Sequence, residues 1–109
     1  MFKYKSTKKI ELGSCCFRQP LAKSHCRFLH GYNLYAKFWF EADKLDKNNW
    51  VVDFGSLTPL KNILRDIFDH KTIIDKNDPY LTDFENLKDN KIIQLIVLDG
   101  VGIEKFSEL

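Results

Sequence analysis

The stretch SHCRFLHGYN, residues 24–33, places two histidines and a cysteine within six residues. Imidazole and thiol are the side chains that most readily carry protons, attack carbon or hold a metal near neutral pH. Cys26 has His25, Arg27 and Lys23 as sequence neighbours. Cations beside a thiol favour the thiolate, which makes Cys26 a candidate nucleophile or base. The alternative is a buried, inert cysteine. His30 and Tyr32 stand at i and i+2, so on a strand they share one face. Gly31 between them would let a ligand approach the backbone. A phenol is a poor zinc ligand beside imidazole, but it both donates and accepts hydrogen bonds.

A second candidate is the step Asp69–His70, which follows an apolar stripe. A carboxylate beside an imidazole raises its basicity and fixes its tautomer. A histidine at a helix C-terminus answers equally well to the helix dipole. Asp53, in VVDFGS, precedes a helix whose free N–H groups suit an anion, or it is simply part of the turn. The chain has only three histidines, His25, His30 and His70. A catalytic zinc takes three protein ligands and keeps one position open, so spending all three on metal leaves no imidazole for acid–base work.

The elements that must position these groups follow from periodicity. Residues 2–16 alternate with period two, with Phe2, Tyr4, Ile10, Leu12 and Cys16 on one face, and Gly13 marks a bulge or the strand's end. YNLYAKFWFEA, residues 32–42, is the strongest strand signal and carries aromatics on both faces, which points to a covered second face. The loop joining these two strands has no helical period, so they are expected to pair antiparallel. Leu57, Leu60, Ile63, Leu64, Ile67 and Phe68 form a helical stripe, with Ser56 as the expected N-cap and Pro59 in the first turn. A short helix over about 79–88, a strand over 91–99 and a terminal helical turn from about 103 complete the expectation.

Composition narrows the classes. The chain has 109 residues, 44% of them hydrophobic, which suits one folded domain and excludes disorder. Net charge is +2, and Lys3, Lys5, Lys8 and Lys9 form the only basic cluster, so no nucleic-acid partner is expected, while a small anionic substrate is compatible. No apolar run is long enough for a membrane span, and no signal-peptide core is present, so no membrane association is expected. Three cysteines, two of them adjacent, do not make a disulfide framework and fit a reducing, cytoplasmic setting.

CRFLHGY has the spacing of a C-x-x-x-H-G-H motif. It is followed in order by an aromatic strand, VVDFGSL, a helix and FDHKTI. Over about residues 2–75 this ordered set resembles the 6-pyruvoyl- and 6-carboxy-tetrahydropterin synthase family of the tunnelling (T-fold) architecture. The resemblance implies a lyase acting on 7,8-dihydroneopterin triphosphate in pterin or queuosine-precursor biosynthesis. A zinc ion held by three histidines polarises the substrate side chain, while a cysteine and an Asp-His pair move protons. Carried over by motif, Cys26, Asp69 and His70 are the catalytic set. His30 is the first histidine of the metal motif, with His25 as a further candidate ligand. Tyr32 and Asp53 are candidate substrate contacts.

Two departures from the pattern stand out. Tyr32 replaces the second histidine of HGH, and GSCCFRQ puts Phe17 where the family has its earlier zinc histidine. VGIEKF resembles the start of the family's last helix, with Glu104 as its helix-start glutamate, and the sequence ends three residues later. Residues 76–99 resemble an insertion. The expectation is therefore a single T-fold-like domain over 1–109, lacking the final helix and strand. It is α+β, with an antiparallel sheet and helices on one face. The resemblance further implies edge pairing into a barrel-shaped homo-oligomer, trimer or hexamer. A catalytically degenerate, metal-free T-fold binding or assembly module is the alternative function, and an unrelated α+β domain is the third reading.

Overall fold

A long hairpin dominates the molecule. Tyr4–Phe17 (β1) and His30–Ala42 (β2) pair antiparallel from Tyr4↔Ala42 to Phe17↔His30. The computed structural model describes residues 2–109. After a turn-rich segment and a 3₁₀ turn at Phe54–Leu57 come Thr58–Phe68 (α1), Lys71–Asp75 (β3), Leu81–Asp89 (α2), Leu95–Leu98 (β4) and Ile103–Phe106 (α3). The four strands form one sheet in the order β2-β1-β3-β4.

The antiparallel sheet expected from the sequence holds only for β1 with β2. β1 pairs β3 in parallel, and β3 pairs β4 in parallel. The source of the difference is β3, for which the sequence pattern gives no strand. Its five residues include Thr72, Ile73 and Ile74, all buried, so the segment shows no alternation by which a strand is recognised. β3, α2 and β4 form a βαβ unit, the connection that parallel neighbours require. Ile73 joins the main core, while Thr72 and Ile74 are buried on the opposite face of β3, and α2 packs against β3 and β4. The helices thus do not all lie on one face.

The main core lies between the sheet and α1 with α3. Ile10, Leu12, Cys15, Phe17, Phe68, Ile73 and Val101 are buried there, flanked by Leu57, Leu64 and Ile67 from the expected helical stripe. Ile63, also assigned to that stripe, is exposed. The face of β1 changes along its length. The β1–β2 register slips between Glu11 and Gly13, a β-bulge, and Gly13 has φ 90°. One extra residue reverses the alternation, so Ile10 faces the core before the bulge and Cys15 and Phe17 face it afterwards. Cys16, expected inward, is therefore displaced from the core face by its neighbour Cys15.

Ser56 does not cap α1. Its hydroxyl donates to the Asp53 carbonyl, and the residue before α1, Leu57, makes no side-chain cap bond. No helix among the described residues is long and apolar enough to cross a membrane.

Candidate active site

Three positions singled out by the motif meet at the end of the hairpin where β1 stops and β2 starts. Phe17 is the register partner of His30. The Phe17 and Tyr32 rings stack, with centroids 4.1 Å apart and planes 11° apart, and the His30 ring stands edge-on to Tyr32 at 6.5 Å. Phe106 of α3 closes against Phe17 at 5.1 Å. The fold thus gathers the positions where the resemblance places three imidazoles, and it fills two of them with an aromatic stack. Phe17 is 2% exposed and belongs to the core.

His25 and Cys26 lie in a single 3₁₀ turn, His25–Arg27, just ahead of β2. Ser24 caps the turn by accepting from the Cys26 N–H at 3.3 Å, and the Cys26 carbonyl accepts from Gln19 N at 2.8 Å. These bonds fix the Cys26 backbone and leave its thiol half-buried, while His25 is exposed and tilted toward Phe28. Cys15 is the contrast. Burial, with Cys16 beside it, pushes its thiol up to about 11, so it stays protonated and inert at neutral pH.

Asp69 and His70 occupy the junction between α1 and β3. Here the bulge has its use, because a Cβ at position 13 would overlap the Asp69 carboxylate. In its absence the carboxylate accepts from the Ser14 N–H at 3.2 Å and from Arg65 at 2.8 Å. Arg65 is itself anchored on the Glu11 carbonyl at 3.2 Å. Desolvation pulls the Asp69 pKa upward, but the Ser14 N–H, the charge of His70 and Arg65 together outweigh it and hold the carboxyl below its ordinary value. His70 adopts φ 59°, and its N–H donates to the Ser14 carbonyl at 2.6 Å. That conformation presents an exposed imidazole whose Nε2 lies 3.7 Å from Asp69 Oδ1, close enough for a charge to be felt and too long for a hydrogen bond.

His70 lines two open clefts, and neither is lined by Cys26, His25, His30 or Tyr32. Neither of these two clefts joins the two halves of the expected catalytic set. Asp53 is farther still. Its carboxylate accepts from Gly55 N at 2.9 Å, capping the 3₁₀ turn, and it lines a cleft with Tyr4, Lys5 and Ser6. That is the opposite end of β1 from Phe17, on the order of 35 Å away at about 3.3 Å per strand residue.

The residues do not fit the family's zinc. Among the described residues no three His, Cys, Asp or Glu side chains stand together as ligands. His30 alone survives of the three-histidine set, and a phenylalanine ring packed in the core offers a metal nothing.

A mixed sheet with a βαβ arm, a long antiparallel hairpin and a site at the hairpin's end defines a T-fold-like α+β domain. An uncharacterized protein of known crystal structure from Wolinella succinogenes shares this fold, with a TM-score of 0.81 at 20% identity over 96% of this chain and 79% of that one. Residues 6–97 match the 6-pyruvoyl tetrahydropterin synthase family, to which the chain belongs. Proteins named 6-carboxy-5,6,7,8-tetrahydropterin synthase from Rickettsia typhi and Rickettsia conorii are 35% and 33% identical over 72 residues, or 64% of this chain. That stretch is 52% of each relative, so the chain spans about half the length of the curated relatives it matches.

Proposed function

We propose that this chain handles a pterin as a 6-carboxytetrahydropterin synthase-type lyase, acting on 7,8-dihydroneopterin triphosphate in pterin or queuosine-precursor biosynthesis. The observation that carries the reading is the Asp69–His70 junction: a carboxylate held ionised by Ser14 and Arg65 beside an exposed imidazole at a cleft. In this reading His70 accepts a proton from the substrate side chain, Asp69 stabilises the resulting imidazolium, and the Cys26 thiol is the second proton carrier. Cys26 lines neither of the two clefts beside its own chain's His70, which supports a reading in which the site is completed between two copies of a homo-oligomer. No step is assigned to zinc, since the ligand set for it is not among these residues.

The test is incubation of purified protein with 7,8-dihydroneopterin triphosphate, with products followed by liquid chromatography and mass spectrometry. Conversion that is lost in Cys26→Ala and in His70→Gly supports the reading. Glycine is the suitable replacement because position 70 has a positive φ. A second reading, a metal-free binding or assembly module, is favoured by the Phe17–Tyr32 stack. It predicts pterin binding without turnover. Elemental mass spectrometry bears on both: about one zinc per chain, lost in His30→Ala, would show that a ligand set has been rebuilt and would refute the metal-free geometry.

A further inference from the structure

The solvent face of the β1–β2 hairpin carries features that folding does not explain. The register sets Lys9 directly opposite Lys37, with Thr7 opposite Trp39 and Glu11 opposite Tyr35. Like charges that face each other across two strands cost stability. Trp39 is 65% exposed and Tyr35 is 60% exposed, whereas the alternate positions Leu34, Ala36 and Phe38 pack against the core. The two rings and the two ammonium groups form one cluster. Lys9 Nζ lies 4.3 Å from the Tyr35 ring centroid, and Lys37 Nζ lies 5.2 Å from that of Trp39. Exposed contacts of this kind are weak, so a flat ligand can take a ring face while the ammonium turns to an anion beside it. Carboxylates stand only at the margins of the cluster: Glu11 is 3.4 Å from Lys9 and Glu41 is 3.7 Å from Lys5, both pairs open to solvent. Charge is also divided along the chain. Residues 1–42 carry eight of the 17 lysines and arginines and only two of the 15 carboxylates, and none of those carboxylates lies between Glu11 and Glu41. Summed over the chain the two parts nearly cancel, which is why composition pointed away from a polyanion, yet the fold gathers the basic part on one hairpin.

We propose that the solvent face of β1 and β2, centred on Lys9, Tyr35, Lys37 and Trp39, binds single-stranded nucleic acid without regard to base sequence. Tyr35, Lys37 and Trp39 follow one another on one side of β2, so the rings stand about 13 Å apart at about 3.3 Å per residue. Two bases stack on the rings, and the backbone phosphate between them lies against Lys9 and Lys37 and relieves their repulsion. A lipid surface fits this face less well, because its alternating positions Lys5, Thr7, Lys9, Tyr35, Lys37 and Trp39 include no aliphatic side chain to enter a bilayer. The proposal does not rest on the pterin reading, since it uses none of Cys26, Asp69 and His70.

The experiment is fluorescence anisotropy on the full chain, with a labelled oligouridine strand of about twelve nucleotides and a duplex of the same length. The proteins are the wild type, Tyr35→Ser/Trp39→Ser, Lys9→Gln/Lys37→Gln, and a control, Lys44→Gln/Lys47→Gln, which removes the same charge from the turn after β2. The single strand should bind the wild type more tightly than the duplex does. Affinity should fall about tenfold or more in the first two variants and much less in the control. The lysine variant should also flatten the slope of log affinity against log salt by about 1.4, for two phosphate contacts at about 0.7 each, while the aromatic variant leaves that slope unchanged. No binding to the wild type, equal binding of strand and duplex, or equal weakening in the control would each overturn the proposal. So would binding to phosphatidylserine vesicles, lost in the same variants, with none to the oligonucleotide. Thermal melting checks the folding of each variant. If one fails to fold, photocrosslinking of the wild type to a strand containing 4-thiouridine, mapped by peptide mass spectrometry, decides the matter: adducts at Tyr35 or Trp39 support the proposal, and adducts only elsewhere overturn it.

Discussion

Gly13→Ala tests whether the bulge in β1 exists to admit Asp69. The backbone part of the cost is general: an L-residue at φ 90° bears a strain of about 1–2 kcal/mol. The steric part is specific, because the new methyl would overlap a carboxylate tied to the Ser14 N–H and to Arg65. That carboxylate cannot swing aside without losing both bonds. Asp69→Gly removes every overlapping atom. In that background the substitution at position 13 should show only the backbone share, about 1–2 kcal/mol, and in the wild-type background at least about twice as much. Urea unfolding at fixed protein concentration reads the difference as a shift in midpoint at constant slope. Equal costs in the two backgrounds would refute the argument that Gly13 makes room for the carboxylate.

Other outcomes follow from the same structure. Asp78 is wholly buried and pairs with Arg18 at 3.2 Å, so Asp78→Ala should destabilise by about 3–5 kcal/mol, while Arg18→Met/Asp78→Leu should cost much less, both read by urea unfolding. The pKa of Asp69 is lowered by folding, so its stabilisation is present above the ordinary value of 3.8 and is lost as pH falls below it. Unfolding midpoints measured across that range should therefore fall more steeply for the wild type than for Asp69→Asn. Brief alkylation of the native protein at mildly alkaline pH, followed by peptide mass mapping, should label Cys26 and spare Cys15, whose thiol is held near 11 by burial.

How much of this was legible in the sequence depends on whether a signal is local. The β2 alternation and most of the α1 stripe were readable because each reports burial on one face of one element. Gly13 was recognisable as a candidate bulge. That the bulge would put Cys15 and Phe17 inward, in place of Cys16, depended on knowing which residue was the extra one. β3 was missed because a strand covered on both faces carries no period, and with it went the parallel half of the sheet. The motif placed Phe17, His30 and Tyr32 by resemblance, and the ladder brings those three together. How they lie relative to Asp69–His70 was not legible, because that relation is tertiary. Asp53 was singled out for its position before a helix, yet its carboxylate is engaged by Gly55.

Only Cys15, Cys16 and Phe17 of β1 are paired on both sides, to β2 and to β3. The two partnerships differ in how far the chain must travel. A 12-residue loop separates β1 from β2, whereas Cys15 meets Lys71 across 56 residues. Closure entropy rises with the length of chain to be closed, so the hairpin is the early event and the docking of β3 the late one. Substitutions along the hairpin should therefore change the refolding rate, and substitutions at Ile73 should change mainly the unfolding rate. The three residues shared by both partnerships are where a fast local step hands over to a slow global one.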